Sequence, residues 1–190
     1  NNAINIYSII ITYTPTAGGG GESGDCGWIE TDISNISSTD DVVITMTNGT
    51  TTWALANNNG TNSAPTALPV IVNGNTITDD IEDTYKWNIS NSSGNLTIYP
   101  NGTKSNSLYC IATNNGVRVG TNSNNVFTIV NGIGDDETND FLFNTATNRY
   151  VGVYTTNPDW RCYTLTDKGA FPNNLRGQTL KFYKYVECST

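Results

Sequence analysis

The sequence predicts an all-β domain, and three observations carry that expectation. No helical period of useful length runs after Gly27. Short apolar runs alternate instead with Gly-, Asn- and Asp-rich turns, the pattern of strands joined by tight connections. Three stretches also align on a central aromatic: VVITMTNGTTTWALAN on Trp53, LTIYPNGTKSNSLYCIAT on Tyr109 and FLFNTATNRYVGVY on Tyr150. Such self-similarity marks units that bury one apolar face together.

The elements follow in chain order. INIYSIIITYT, residues 4–14, is rich in β-branched and aromatic residues and reads as one strand ended by Pro15. TAGGGGESGDCG then supplies a flexible linker, because four consecutive glycines hold no fixed geometry. The expected division is an orphan strand over 1–14, a linker over 15–26 and a folded domain over 27–188. The orphan strand is a remnant of a preceding domain or a donor to another chain, since a lone strand is not stable by itself. Each aligned unit reads as a strand, a polar turn and a second strand with the central aromatic. Third strands follow in ALPVIV, GVRVG and WRCYT, and fourth strands in YKWNIS, NVFTIV and LKFYKY. The first unit is lengthened by NNNGTNSAPT and the DDIED region, and the third by LTDKGAFPNNLRGQ. Loop insertions of this kind cost little.

Three units of four strands give twelve, and closing them into a barrel removes open edges. At this point the sequence resembles a ricin-like β-trefoil. Members of that family end each repeat in a Q-x-W-type strand; here the endings read Tyr85-Lys86-Trp87, Asn125-Val126-Phe127 and Thr179-Leu180-Lys181-Phe182, keeping the aromatic alone. On this alignment Trp53, Tyr109 and Tyr150 occupy equivalent places, as do Trp87, Phe127 and Phe182. WIETDISNISSTDDVVI, SLYCIATNNGVRVG, TNRYVGVYTTNPDWRCYT and GQTLKFYKYV look like an uncharacterised domain of secreted, multidomain proteins from gut-dwelling Gram-negative anaerobes. That likeness covers about residues 28–187. It implies a secreted or cell-surface bacterial context and no particular activity.

Composition narrows the function. The 190 residues carry a formal net charge of -8, and every Lys and Arg lies at or after Lys86. An acidic surface argues against nucleic acid, whose phosphates need basic contacts, and leaves the second half only a local anion contact. Histidine is absent, which removes the commonest general base, the usual Ser and Cys triads and most zinc sites. The acidic clusters at Asp79–Asp83 and Asp135–Asp140 do not have calcium-loop spacing and read as solvated turns. No apolar run is long enough for a membrane-spanning helix. No signal-peptide pattern opens the chain, and Asn1 suggests a mature or trimmed fragment. A non-enzyme without metal or cofactor is therefore expected.

The candidate site is the stretch RYVGVYTTNPDWRCYT, Arg149 to Thr164. Aligned on TNNGVRVG, its Asn157-Pro158-Asp159 turn matches Asn114-Asn115-Gly116, and Trp160, Arg161 and Cys162 match Val117, Arg118 and Val119. Strand alternation puts Trp160 and Cys162 inside and Arg161 outside. Ricin-like trefoils place sugars at this hairpin, so the resemblance implies a ligand against Tyr154, Asp159, Arg161 and Tyr163, with Trp160 supporting from beneath. Asn114, Asn115 and Arg118 form a second, poorer site. Cys26 and Cys188 flank the domain; a closed threefold barrel brings its ends together, so these two are expected to bond, with Cys110 and Cys162 reduced core residues.

The resulting reading is a non-catalytic, glycan-binding module of an exported protein. Two alternatives stand beside it: a structural or adhesive subunit that assembles through residues 4–14, and a trefoil protease inhibitor using the 166–177 insertion.

Overall fold

A computed structural model describes residues 26–188. The orphan strand expected over 1–14 and almost all of the linker lie outside them. Among the described residues there are fifteen strands and four short 3-10 turns. Twelve strands correspond to the expected repeats. Repeat one holds β2 (Val42–Thr47), β3 (Thr52–Leu55), β4 (Ala67–Val70) and β7 (Trp87–Ser92). Repeat two holds β8 (Asn95–Pro100), β9 (Ser107–Cys110), β10 (Val117–Gly120) and β11 (Phe127–Asn131). Repeat three holds β12 (Asp140–Asn144), β13 (Arg149–Tyr154), β14 (Asp159–Tyr163) and β15 (Thr179–Val186).

The first and fourth strands of the repeats form the barrel wall in the order β12-β11-β8-β7-β2-β15. β12 packs back on β15, where the Asp140 amide donates to Thr179 Oγ1 at 3.1 Å. The second and third strands form three hairpins, β3–β4, β9–β10 and β13–β14. These meet through two isolated bridges, Thr66 with Asp159 and Gly116 with Arg161. A six-stranded barrel capped by three converging hairpins is a β-trefoil. Its core runs through the barrel and under the cap, with Trp87, Phe127, Phe141 and Trp160 among its fully buried side chains. Local chemistry shapes the turns. Ser93 and Gly94, both at positive φ, form the two-residue link of the β7–β8 hairpin, and the Asn91 carboxamide accepts from the Gly94 amide.

Three strands were not expected: β1 (Gly27–Thr31), β5 (Val72–Asn73) and β6 (Thr76–Ile77). ALPVIV is not one strand. It breaks at Ile71, which is 65% exposed and whose amide is taken by the Asp79 carboxylate. The chain then folds back as β5–β6, and β6 pairs with β1. The expected loop around DDIED thus covers a second core of Trp28, Val43, Ile77, Ile81 and Tyr183. β1 pairs along the second half of β15, from Thr31 opposite Phe182 to Gly27 opposite Val186. That pairing brings the chain ends together, and Cys26 is bonded to Cys188 with Cα atoms 4.9 Å apart.

The expected equivalence of Trp53, Tyr109 and Tyr150 holds for burial in the second strands but not for facing: Trp53 alternates with Ala54 and packs in the main core with Leu55, whereas Tyr109 and Tyr150 lie on the face opposite Cys110 and Val151. That of Phe182 with Trp87 and Phe127 is corrected. Trp87 and Phe127 begin their strands and pair with Pro100 and Asn144, the last residues of the next β8 and β12. In repeat three the residue at that register is Thr179, opposite Thr47, while Phe182 lies deeper, opposite Ile44. Gln178, just before it, clamps β13: its Oε1 accepts from the Val153 amide at 2.9 Å and its Nε2 donates to the Val153 carbonyl at 2.8 Å. The insertion that precedes Gln178 buries apolar residues of its own, Phe171 against Phe141 and Tyr150 and Leu175 against Gly152.

Candidate functional site

β13 and β14 pair from Tyr150 opposite Tyr163 to Tyr154 opposite Asp159, and residues 155–158 turn between them. Alternation divides this hairpin into two faces. Arg149, Val151, Val153, Trp160 and Cys162 point inward. Trp160 and Cys162 are fully buried, as the register required. The Trp160 indole N–H donates to the Ala54 carbonyl at 3.3 Å, and its backbone N–H to the Pro65 carbonyl at 2.9 Å. Trp160 belongs to the core and offers a ligand no surface.

The other face carries Tyr150, Gly152, Tyr154, Asp159, Arg161 and Tyr163. The insertion covers its near half. Phe171 packs edge-on against Tyr150 with ring centroids 5.1 Å apart. A Cβ on Gly152 would lie 2.6 Å from Leu175 Cδ2, so the glycine is required for this packing. Tyr163 is buried here, and burial pushes its hydroxyl pKa up. It is therefore not a stacking surface, which corrects that part of the expected site.

The far half stays open, and there Tyr154, Asp159 and Arg161 come together. Arg161 Nε and Nη2 donate to the two Asp159 oxygens at 2.6 and 2.9 Å. The guanidinium lies over the Tyr154 ring, 4.1 Å from its centroid. The Asp159 bonds push the Arg161 pKa further up. The two side chains keep 33% and 22% of their surface exposed. The pair is held beside an aromatic ring, and its partial exposure leaves guanidinium donors and carboxylate lone pairs within reach of a ligand.

The second-repeat residues lie beside this stack, because Gly116 bridges Arg161. Asn114 Oδ1 accepts from the Gly116 amide at 2.8 Å, which shapes the turn. Asn115 Oδ1 accepts from Arg149 Nη1 at 3.1 Å, and its backbone carbonyl accepts from the Cys162 amide at 3.0 Å. Both carboxamide oxygens thus serve the fold. Arg118 donates to its neighbour's carbonyl, Val117 O, at 2.8 Å. Cys110 and Cys162 are free and buried, and Cys162 Sγ donates to the Gly116 carbonyl at 3.3 Å.

A second concavity was not foreseen. A cleft of ≈ 760 Å³ opens where β15 leaves β12 for β1, between Glu30, Asp32, Thr138, Asp140, Thr179 and Lys181. Lys181 is paired with Glu30, and Asp140 accepts from the Asn131 carboxamide at 3.1 Å. No group of three metal-ligating side chains occurs among the described residues. The repeats gave no signal for this cleft, because one wall comes from β1, outside them. Among the described residues no helix is long and apolar enough to cross a membrane.

No protein-family model matches the chain. No curated protein matches it by sequence. Among solved structures it is similar to a designed 3-fold symmetric protein, ThreeFoil, at 12% identity and a TM-score of 0.45, over 73% of this chain and 96% of that one.

Proposed function

We propose that this domain is a non-catalytic, glycan-binding module of an exported protein, and that it takes its ligand at the tip of the β13–β14 hairpin. One observation carries the reading: the Asp159–Arg161 pair held against Tyr154 at the open end of the hairpin. Sugars offer hydroxyls that both donate and accept. A guanidinium and a carboxylate already paired with each other meet both needs without freezing mobile side chains on binding. The Cys26–Cys188 bond supports an exported setting, because such bonds persist in oxidising compartments. A single shallow site of this kind binds weakly, with a Kd in the millimolar range, about 4 kcal/mol. The test is a glycan array followed by NMR titration of wild type, Arg161→Ala and Tyr154→Ala. Loss of binding in both variants is expected, with melting temperatures close to wild type. Unchanged binding in both would reject the site.

A second reading, a protease inhibitor, draws on the insertion. Its tip is braced by the Thr166 amide donating to the Ala170 carbonyl at 2.9 Å and the Ala170 amide donating to Thr166 Oγ1 at 3.0 Å. Lys168 is exposed on that tip while Phe171 is anchored in the core. Such a loop suits a protease that cleaves after lysine. Inhibition of trypsin that disappears in Lys168→Ala would establish this reading; ordinary cleavage at Lys168 would dismiss it.

A further inference from the structure

The arginines of the chain are not treated alike by the fold. Arg161 is neutralised by Asp159, Arg176 has Asp135 3.8 Å away, and buried Arg149, also without a carboxylate among the described residues, donates to Asn115 Oδ1 and to the Ala112 and Cys162 carbonyls. Arg118 is half-buried and has no carboxylate within ion-pair distance among the described residues. Its one hydrogen bond there goes to the Val117 carbonyl. A partly desolvated guanidinium left without an anion is unusual, because burial weakens its hydration without replacing it.

Its position is specific. Gly116 and Arg161 face each other across an antiparallel bridge flanked by the Cys162 N–H to Asn115 carbonyl bond. Residues opposed in this way direct side chains to the same face. Arg118 lies two residues beyond Gly116 on the same strand path, so it shares that face. Arg118 Nη1 lies 3.3 Å from the point a Gly116 Cβ would occupy. The order across the hairpin faces is therefore Tyr154, the Asp159–Arg161 pair, Gly116, which is buried beneath Asn114 Oδ1 and Ile111 Cδ1, and Arg118. Two guanidiniums are set against one carboxylate. The local balance is positive on a chain whose net charge is -8. The span from β13 past β14 to this edge is two strand spacings, about 10 Å, a length that a disaccharide covers.

We propose that the ligand is an acidic sugar, whose carboxylate or sulfate is received by Arg118 across Gly116 while its ring lies toward Tyr154 and the Asp159–Arg161 pair. This rests on the glycan-binding reading above. Asp159 already satisfies Arg161, so Arg118 supplies the charge selection. Its forked donors match the two oxygens of a carboxylate or sulfate.

The experiment compares three probes by NMR titration of the disulfide-bonded domain. These are methyl glucuronoside, its uncharged methyl ester and galactose 6-sulfate. The free acid is expected to bind about tenfold tighter than the ester at low salt, with the advantage shrinking as salt rises. Arg118→Gln should abolish that advantage and leave the ester's affinity unchanged. Arg118→Lys, which keeps the charge without the fork, should retain part of it. Lys104→Gln, at an exposed loop, should change nothing, which separates a local contact from net charge. Tighter binding of the sulfate than of the acid would identify a sulfated sugar as the source of the anion. Equal affinity for acid and ester overturns the acidic preference but leaves glycan binding standing. An advantage that survives in Arg118→Gln overturns the role of Arg118. Failure of all three probes, together with failure of a neutral-glycan array, removes the underlying reading and this inference with it.

Discussion

Trp160 and Ala54 are joined by a hydrogen bond from the indole N–H to the backbone carbonyl, at 3.3 Å, although 106 residues separate them. The bond ties the third hairpin to the first beneath the cap. Trp160→Ala should lower stability by about 3–5 kcal/mol, the usual cost of emptying a buried aromatic site. Trp160→Phe keeps much of the volume but leaves the carbonyl without its donor, and should cost less. Denaturant unfolding of both variants checks the order.

Gln178 bridges β13 to the insertion through three bonds, two to Val153 and one from Nε2 to the Asn174 carbonyl at 2.9 Å. It is 2% exposed. Gln178→Leu keeps the approximate volume and strands these backbone groups. A loss of roughly 2–4 kcal/mol is expected, since each unsatisfied buried group costs about 1–3 kcal/mol. A loss below 1 kcal/mol by chemical denaturation would mean that water takes over the bonds.

Replacing Cys26 and Cys188 with Ser opens a loop with a sequence separation of 162. The chain-entropy model gives a loss of roughly 4–5 kcal/mol. β1 should fray from β15 first, because its pairing ends at the bond. Hydrogen exchange of the Trp28–Thr31 amides, compared with those of β7–β8, tests this.

The thiols of Cys110 and Cys162 should be inert in the folded domain, because both are fully buried. Burial first, then the neighbouring Cys162, pushes the Cys110 pKa well up. No reaction with a thiol reagent is expected under native conditions, and both cysteines should react after unfolding. Rapid native labelling would show that the hairpins open.

Burial, with a smaller contribution from Glu30, pushes the Tyr183 hydroxyl up to about 12. An unfolded tyrosine ionises near pH 10. The folded pKa is raised, so this stabilising contribution is whole below about pH 10 and is lost as pH rises toward about 12. Tyr183→Phe should flatten stability across that window relative to wild type, as read by urea midpoints.

How much of the fold and site was legible varies by residue, for physical reasons. Alternation in short strands and a threefold recurrence of aromatics are local, so they specified the all-β class, twelve of the strands, the hairpin register and the inward facing of Trp160 and Cys162. The closeness of Cys26 and Cys188 followed from closure of a threefold barrel. What needed the tertiary structure was every contact made by a segment outside the repeat. β1 and β6 are stable only because each finds a partner distant in the chain. Phe171, Leu175 and Ile81 are single apolar residues in polar loops, with no period to show which core receives them. Tyr163 is buried, and Phe182 lies opposite Ile44, by pairings that no local pattern shows. At the candidate site, the sequence named Tyr154, Asp159, Arg161 and Arg118. Only packing decided that Arg161 is held by Asp159 while Arg118, set beside it by the Gly116 bridge, keeps an uncompensated charge: alternation orients a side chain, but its neighbour on the next strand is set by how separate hairpins converge.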